Sequence, residues 1–447
     1  MNWMPGNSAR CIGFSSIVML SATAHALEPC GTLPDEIFDN GFGVGPSISV
    51  DNETTLSTPA GVGTLPDEHS SYLPPTTVDG PFLFFEAAKY NNVLGAVVMQ
   101  TDSNFQTLTL ASGYATPVLN SPKPFGQCAS VGDPAGLDSE FDENYAAPGS
   151  VLQDPTLPDG NLMMIYEGEN HCRVDPSDGT VYNVQPYYAT AGFARSSDNG
   201  VTWPAPGLTP GPFRYPILGG PSDKPAYDPD SITAVGDAIP SGYIKGSCLY
   251  VVYANHPAPT ETNRAIGIQI ARAQLGSDPL AFQKYLVTSG AGSFSSAGMG
   301  GAGTNVIPFT PIGGTQTTPT CTGTQFQPGL SFNQFLGRYL MTMVCEVSST
   351  AGQLGWFFST ANSLDAEDWT MPQLIANSQF TTTTPCDGQP PTSPSTSFNG
   401  WYPSFYSPNL AMGRTGKTGL AFYLDGCNLD PDRMFKSRTF TVTADPG

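Results

Sequence analysis

Acidic side chains follow several of the apolar runs in this chain. Glu167 follows the run 162–166, Asp228 and Asp230 flank Pro229, and Glu346 follows the run 339–345. Carboxyl groups that share a cleft raise one another's pKa, so one can stay protonated as an acid while another acts as base or nucleophile. Hydrolysis of a glycosidic bond requires such a pair. We therefore take these four carboxylates as candidate catalytic residues.

Aromatic and polar side chains stand near the same positions and are candidate substrate contacts. They are Tyr227, His256, Trp401, Tyr402, Asp425 and Arg173. Each candidate also has a structural interpretation. Asp228, Asp230 and Asp425 suit turns, Glu167 suits a solvated loop, and Glu346 suits a disulfide loop. Trp401 and Tyr402 suit packing in a core or at its rim.

The elements that must position these residues are short strands. After residue 80, apolar or alternating runs are bounded by Gly, Pro, Asn and Asp, which predicts an all-β fold. A Pro-containing strand, a Tyr- or Met-rich strand and a third strand recur in order. The inner strands of four units are predicted at 147–151, 228–232, 327–331 and 402–405, and a less regular unit at 82–111 precedes them. Such repeats are typical of a five-bladed β-propeller; a β-sandwich with long loops is the alternative.

The order of strands in an antiparallel blade predicts where the candidates lie. The start of strand 1 and the loop between strands 2 and 3 share one end of the blade, while the 1–2 and 3–4 hairpins share the other. All the candidate residues fall at strand-1 starts or strand-2 ends. They are therefore expected to converge on one face of the propeller.

Residues 196–203 read Ser-Ser-Asp-Asn-Gly-Val-Thr-Trp and match the Asp-box pattern S-x-D-x-G-x-T-W. Asp198 is expected to accept backbone N–H bonds across a tight turn, with Gly200 at positive φ. A degenerate equivalent lies at Ser363–Trp369. We expect a structural role for both turns.

Residues 82–442 together resemble a five-bladed propeller of the glycoside hydrolase family 43-like kind. The resemblance is carried by the Pro-containing strand starts, the run 164–168, the run 336–339 and the two turns. It implies an Asp base, a tuning Asp and a Glu acid, matched here by Asp228 or Asp230 and by Glu167 or Glu346. The first unit has no clear Asp where that family places its base. Phe213–Pro216 is similar to the F-R-I-P motif of sialidases, the neighbouring family, but follows the Asp box instead of preceding it.

Composition excludes several functions. The 447 residues carry 17 basic and 38 acidic side chains, a net charge of −21. That balance disfavours nucleic acid and anionic membranes as partners, since both need a basic surface. After residue 26 no run is apolar for the ~20 residues that cross a bilayer, so we expect no membrane insertion. The histidine and cysteine spacings do not match a zinc site.

The N-terminus has the pattern of a secretory signal: Arg10, an apolar run 11–20 and Ala24-His25-Ala26. We expect residues 1–26 to be a signal peptide, 27–80 an extended arm or linker, and 81–447 the propeller. The arm contains Gly-Thr-Leu-Pro-Asp-Glu twice, at 31–36 and 63–68. Eight cysteines remain after cleavage, enough for four disulfides whose pairing the sequence leaves open. A secreted or periplasmic monomer is expected.

Three functions remain open on sequence grounds. The first is hydrolysis of a poly- or oligosaccharide by paired carboxylates. The second is a non-catalytic propeller that binds glycan or protein. The third is a sialidase-like enzyme, which requires Arg173, Arg264 and Arg414 to cluster. No cofactor is expected; for the acidic run 138–143, a solvated loop is preferred to a structural Ca²⁺ site.

Overall fold

The computed structural model describes residues 30, 45–63, 68–75, 80–91, 93–121, 141–174, 181–203, 214–220, 235–257, 266–277, 279–308, 320–347, 354–365, 368–380, 400–426 and 433–444. Within them the fold is all-β, a β-propeller as expected. No described segment forms a helix that could span a bilayer. The predicted signal peptide lies outside these residues.

The strands form antiparallel meanders that follow one another along the chain. The N-terminal part comprises β1 (Ser47–Thr55), β2 (Val62–Gly63), β3 (Ser71–Leu73), β4 (Phe82–Tyr90), β5 (Val93–Thr101), β6 (Thr109–Leu110) and β7 (Leu119–Asn120). The next meander comprises β8 (Tyr145–Gln153), β9 (Leu162–Val174), β10 (Val181–Ser196) and β11 (Arg214–Leu218).

The third comprises β12 (Val235–Lys245), β13 (Cys248–His256), β14 (Gly267–Gln274), β15 (Gln283–Thr288) and β16 (Ala291–Ala297). The fourth comprises β17 (Cys321–Asn333), β18 (Arg338–Val347), β19 (Leu354–Ala361) and β20 (Gln373–Phe380). The last comprises β21 (Trp401–Tyr406), β22 (Arg414–Thr415), β23 (Thr418–Asp425) and β24 (Met434–Thr443).

Three strands, β1, β2 and β3, lie in the range that the sequence analysis gave to an arm. β1 pairs antiparallel with β24 and so forms the outer edge of the last meander. β3 pairs with β4 and forms the inner strand of the first. Glu53 on β1 accepts hydrogen bonds from Lys436 and Arg438 of β24. The N-terminal segment thus completes the sheet formed by the C-terminal strands.

The inner strand of the third meander also differs from the predicted one. The strand that pairs with β13 is β12, which begins at Val235; residues 228–232 lie outside the described part. The sequence signal is Ile239-Pro240-Ser241, which matches Tyr402-Pro403-Ser404 in β21. The Asp-Pro-Asp run at 228–230 resembles a strand start more closely, which explains the difference.

Three inner strands bulge immediately before a proline. Ile239, Gln327 and Tyr402 have φ values of 52°, 54° and 55° and precede Pro240, Pro328 and Pro403. The strand register shifts at each of these points. Positive φ is unfavourable for such side chains, above all for β-branched Ile239. Surrounding structure must therefore hold these three residues in place.

Serines on four of the inner strands join neighbouring inner strands. The hydroxyls of Ser71, Ser150, Ser241 and Ser404 accept backbone N–H bonds, and we call these four residues the serine ring. The donors are Val151 to Ser71 at 2.6 Å, Gly242 to Ser150 at 2.9 Å, Leu330 to Ser241 at 3.2 Å and Ser70 to Ser404 at 3.0 Å. Gly329 takes the corresponding place in β17, where an added Cβ would lie 2.8 Å from Thr342 Oγ1. The ring lines an axial cavity of about 50 Å³, together with His69.

Two disulfides are described, Cys30–Cys248 and Cys321–Cys345. The first joins residues 218 apart in sequence and ties the N-terminal segment to the third meander. The second joins β17 to β18 within one meander. Cys172 is also disulfide-bonded, while Cys128, Cys386 and Cys427 lie outside the described residues.

Removing one hydroxyl of the serine ring should destabilise the fold. In Ser241→Ala the buried N–H of Leu330 loses its acceptor, so we expect the free energy of unfolding to fall by about 1–3 kcal/mol. Denaturant unfolding measures the change. Ser293→Ala is the matched control, because Ser293 is exposed and its hydroxyl bonds only Ser295; we expect a change within about 0.5 kcal/mol. Equal losses in the two variants would contradict the role of the ring.

Candidate functional site

Strand pairing defines two edges of the sheets. Ala147 of β8 lies opposite Glu167 of β9, and Asp237 of β12 lies opposite Asn255 of β13. Starts of inner strands therefore share an edge with ends of second strands, and we call this the front edge. The turn at 196–203 begins where Ser196 pairs with Leu162, at the opposite edge.

The turn at the opposite edge is held by its own side chains. Asp198 accepts hydrogen bonds from the main-chain N–H and hydroxyl of Thr202 at 2.9 and 2.6 Å, and Trp203 donates to the carbonyl of Gly200 at 2.9 Å. Burial opposes ionisation of Asp198, but the bonds from Thr202 lower its pKa. The side chain is fully used in shaping the turn.

Alternate residues of β9 place two carboxyls and an imidazole on one face of the strand. They are Glu167, Glu169 and His171, spaced two apart as a pleated strand requires. The neighbours of Glu167 on both sides are alanines, Ala147 and Ala191, which are fully buried. Small neighbours leave room for the carboxyl group inside the sheet.

A third carboxyl meets them from the first meander. Glu68 immediately precedes the segment that leads into β3, and its side chain is hydrogen-bonded to that of Glu167. Glu169 is hydrogen-bonded to Glu167 as well. Glu68, Glu167 and Glu169 are 2%, 1% and 9% exposed. We call these three residues the carboxyl cluster.

The strained backbone of β12 contacts this cluster. The N–H of Ile239 donates to Glu167 Oε2 at 2.5 Å. The positive φ of Ile239 and the fixed ring of Pro240 determine where that N–H is directed. The site thus joins the first, second and third meanders.

Glu167 is the cluster member whose proton affinity changes most clearly. Burial raises its pKa, the charge of Glu169 raises it further, and hydrogen bonds from Glu68 and Ile239 oppose the change; the pKa reaches about 8. At neutral pH the group is therefore mostly protonated. A buried carboxyl that keeps its proton at neutral pH is suited to act as a general acid.

His171 and Tyr187 enclose the exposed side of the cluster. His171 Nε2 lies 2.5 Å from Glu169 Oε2, and its main-chain N–H donates to Asn144 at 2.9 Å. The ring of His171 packs on Tyr187 at 5.0 Å between centroids. Burial raises the pKa of the Tyr187 phenol, and the charges of Glu169 and Glu167 raise it further.

Partly exposed aromatic rings continue from the cluster along the front edge. Tyr402 lies 6.1 Å from Trp401, which in turn lies 6.1 Å from Phe326. The N–H of Tyr402 donates to Gln327 Oε1 at 2.8 Å, which joins two bulges. Such rings provide flat apolar surfaces of the kind on which sugar rings stack.

The structure brings some of the predicted residues together. Glu167 and Tyr402 both face Tyr187, and Trp401 adjoins Tyr402. Asp425 forms an ion pair with Lys436. His256 pairs with Gly236 at the front edge, and burial lowers its pKa to about 4.

Other candidates lie outside the description. Tyr227, Asp228 and Asp230 are outside the described residues, and so are the side chains of Arg173 and Glu346. Their proposed roles remain predictions.

The sequence analysis missed Glu68 and Tyr187. Glu68 is the last residue of the second Gly-Thr-Leu-Pro-Asp-Glu copy, and the run Ser-Ser-Tyr-Leu at 70–73 that follows it was the available strand signal. Tyr187 lies within the irregular stretch of β10 between Asn183 and Tyr188, for which the sequence has no local signal.

The described arginines do not gather at the cluster. Arg214, from the F-R-Y-P run, is 5% exposed and pairs with Asp142 and the hydroxyl of Tyr166. Arg414 pairs with Phe332 near the end of β17, at the edge opposite the cluster. Arg264 lies outside the described residues. The described part of the chain contains no His, Cys, Asp and Glu group of three or more able to hold a metal.

Comparisons with known proteins were made by sequence and by fold. No protein-family model and no curated protein matches the sequence. An N-acetylgalactosamine deacetylase from F. plautii superposes with a TM-score of 0.47 at 11% identity, over 89% of this chain and 96% of that one. An α-L-arabinanase from Penicillium chrysogenum has a TM-score of 0.35 at 9% identity, over 88% and 98%. An exo-1,5-α-L-arabinanase from a bovine ruminal metagenomic library has 0.38 at 10%, over 84% and 93%. At these identities the similarity concerns the fold and assigns no activity to this chain.

Proposed function

We propose that this chain is an exported five-bladed propeller that hydrolyses glycosidic bonds in a poly- or oligosaccharide. The observation that carries the proposal is the buried carboxyl cluster, in which burial and the charge of Glu169 raise the pKa of Glu167. Partly exposed aromatic rings beside it offer a surface for sugar rings. Glu167 is the general acid that protonates the leaving oxygen.

The second catalytic carboxylate must come from outside the cluster. Carboxyl groups that are hydrogen-bonded to each other lie about 3 Å apart, whereas retaining glycosidases separate the pair by about 5–5.5 Å and inverting ones by more. Glu68 and Glu169 therefore tune Glu167. We propose Asp230 or Asp228 as base or nucleophile, with Glu346 as the further candidate.

A binding propeller without turnover is the second candidate. It is favoured by the burial of Glu167, which is 1% exposed and accepts the N–H of Ile239. In that case the cluster holds three meanders together, and Trp401 with Tyr402 binds the glycan.

Activity of the mature protein, residues 27–447, tests the proposal. We expect release of reducing ends from at least one of a broad panel of polysaccharides and aryl-glycosides. Glu167→Gln should lower turnover by about 10²–10⁴-fold, because the amide cannot donate a carboxylic proton. Asp230→Asn should abolish it comparably if Asp230 is the base or nucleophile.

Asp102→Asn is the matched control and should keep full activity. Asp102 is exposed, and its side chain accepts hydrogen bonds from Asn104. Turnover that survives Glu167→Gln would contradict the assigned acid. Absence of turnover on every substrate, together with glycan binding that Trp401→Ala abolishes, would select the binding propeller.

The pH dependence of turnover should report the proton on Glu167. The acid is active only when protonated, so kcat/KM should fall as pH rises through about 8. The sign follows from burial, which disfavours the charged form and raises the pKa. A pH–rate profile on an aryl-glycoside with a poor leaving group measures it. An alkaline limb near the ordinary pKa of Glu, about 4.3, would contradict the role of Glu167.

A further inference from the structure

Glu169 lies between two groups that the fold holds in fixed positions. On one side is Glu167, whose carboxyl is hydrogen-bonded to Glu169 and to Ile239 N–H. On the other is His171, whose Nε2 is 2.5 Å from Glu169 Oε2. The side chain of Glu169 is 11% exposed and that of His171 is 1% exposed. Of Glu167, Glu169 and His171, Glu169 therefore has the side chain most exposed to solvent.

We propose that His171 is a positioning residue, which holds Glu169 as the carboxylate that shares and returns the proton of Glu167. The inference rests on the proposed role of Glu167 as the acid. It assigns a function to Glu169 and His171, which are not members of the proposed acid–base pair.

The orientation of His171 is fixed from three directions. Its main-chain N–H donates to Asn144, its ring packs on Tyr187, and its Nε2 faces Glu169. A ring nitrogen that faces a carboxylate carries its hydrogen and donates it. The bond occupies Oε2 of Glu169 and leaves the other oxygen for Glu167.

The proton cycle balances without any further reactant. During bond cleavage the O–H bond of Glu167 breaks, and the proton goes to the glycosidic oxygen. Glu167 is hydrogen-bonded to Glu169, whose side chain is the more exposed of the two, so the proton returns by way of Glu169. Glu169 takes a proton from solvent, its O–H bond then breaks, and the O–H bond of Glu167 forms again. Both carboxyls end in the state in which they began.

The other ionisable groups that face these two carboxyls are Glu68, Tyr187 and Tyr402. His69 lies beyond Tyr402, with ring centroids 6.4 Å apart. Glu68 comes from the first meander and Tyr402 from the last. Replacing His171 removes the ring nitrogen that faces Glu169.

Two substitutions at the same position separate positioning from packing. His171→Phe keeps an aromatic ring but removes the donor. Without this donor Glu169 ionises less readily. Its negative charge therefore raises the pKa of Glu167 less than it does in the wild type. We expect the alkaline limb of the pH–rate profile to move to lower pH by about one unit, with kcat reduced and KM little changed. His171→Gln retains an N–H donor and should restore the limb.

A spectroscopic readout keeps the inference separate from the proposed activity. The carbonyl stretch of protonated Glu167 is identified in infrared difference spectra by its loss in Glu167→Gln. The pH at which this band disappears should be lower in His171→Phe than in the wild type. In His171→Gln it should return to the wild-type value. A shift in a protein that shows no turnover would support the positioning role and contradict the glycosidase.

An unshifted band in a folded His171→Phe protein would overturn the inference, whatever the turnover. If His171→Phe does not fold, His171→Asn provides the same test, because the Asn side chain is polar but too short to reach Glu169. Its band must shift as well, and a band at the wild-type position would overturn the proposal.

Discussion

The bond from the N–H of Ile239 to the carboxyl of Glu167 connects the fold to the site. It exists because the inner strand bulges before Pro240, which places Ile239 at positive φ. One residue beyond the proline, Ser241 accepts the N–H of Leu330 and holds the next inner strand. The same three-residue segment therefore builds the axis of the molecule and supplies a donor to the front edge. Tyr402-Pro403-Ser404 repeats this arrangement in the last meander.

This arrangement buries acidic groups, which is unfavourable for their charged forms. Three carboxyls from two meanders meet with little access to water, and one of them, Glu169, lies against the imidazole of His171. Burial disfavours the charged form of a carboxyl, so the pKa of Glu167 is raised and this group keeps its proton. Two other buried acids are paired with cations: Asp237 with Lys284 and Asp142 with Arg214. In the candidate site the carboxyl groups are hydrogen-bonded to one another.

Much of the fold could be predicted from sequence, and the site only in part. Recurring Pro-containing strands and turn residues are local signals. They were enough to predict the all-β fold and to select Glu167 and Tyr402 as candidate site residues. Glu68 could not be placed, because β3, the strand that follows it, is three residues long and pairs with residues that come later in the chain. The inner strand of the third meander was predicted too early, at 228–232, since Asp-Pro-Asp resembles a strand start more than Ile-Pro-Ser does. Proton sharing depends on contacts between meanders and leaves no local signal.

The protonation state of Glu167 is the central claim, and infrared titration measures it most directly. The wild-type protein minus Glu167→Gln difference spectrum isolates the carbonyl stretch of this one carboxylic acid. The account predicts that the band is present at neutral pH and disappears with a midpoint near 8. A band that is already absent at mildly acidic pH would show Glu167 to be an ordinary carboxylate and would contradict the account.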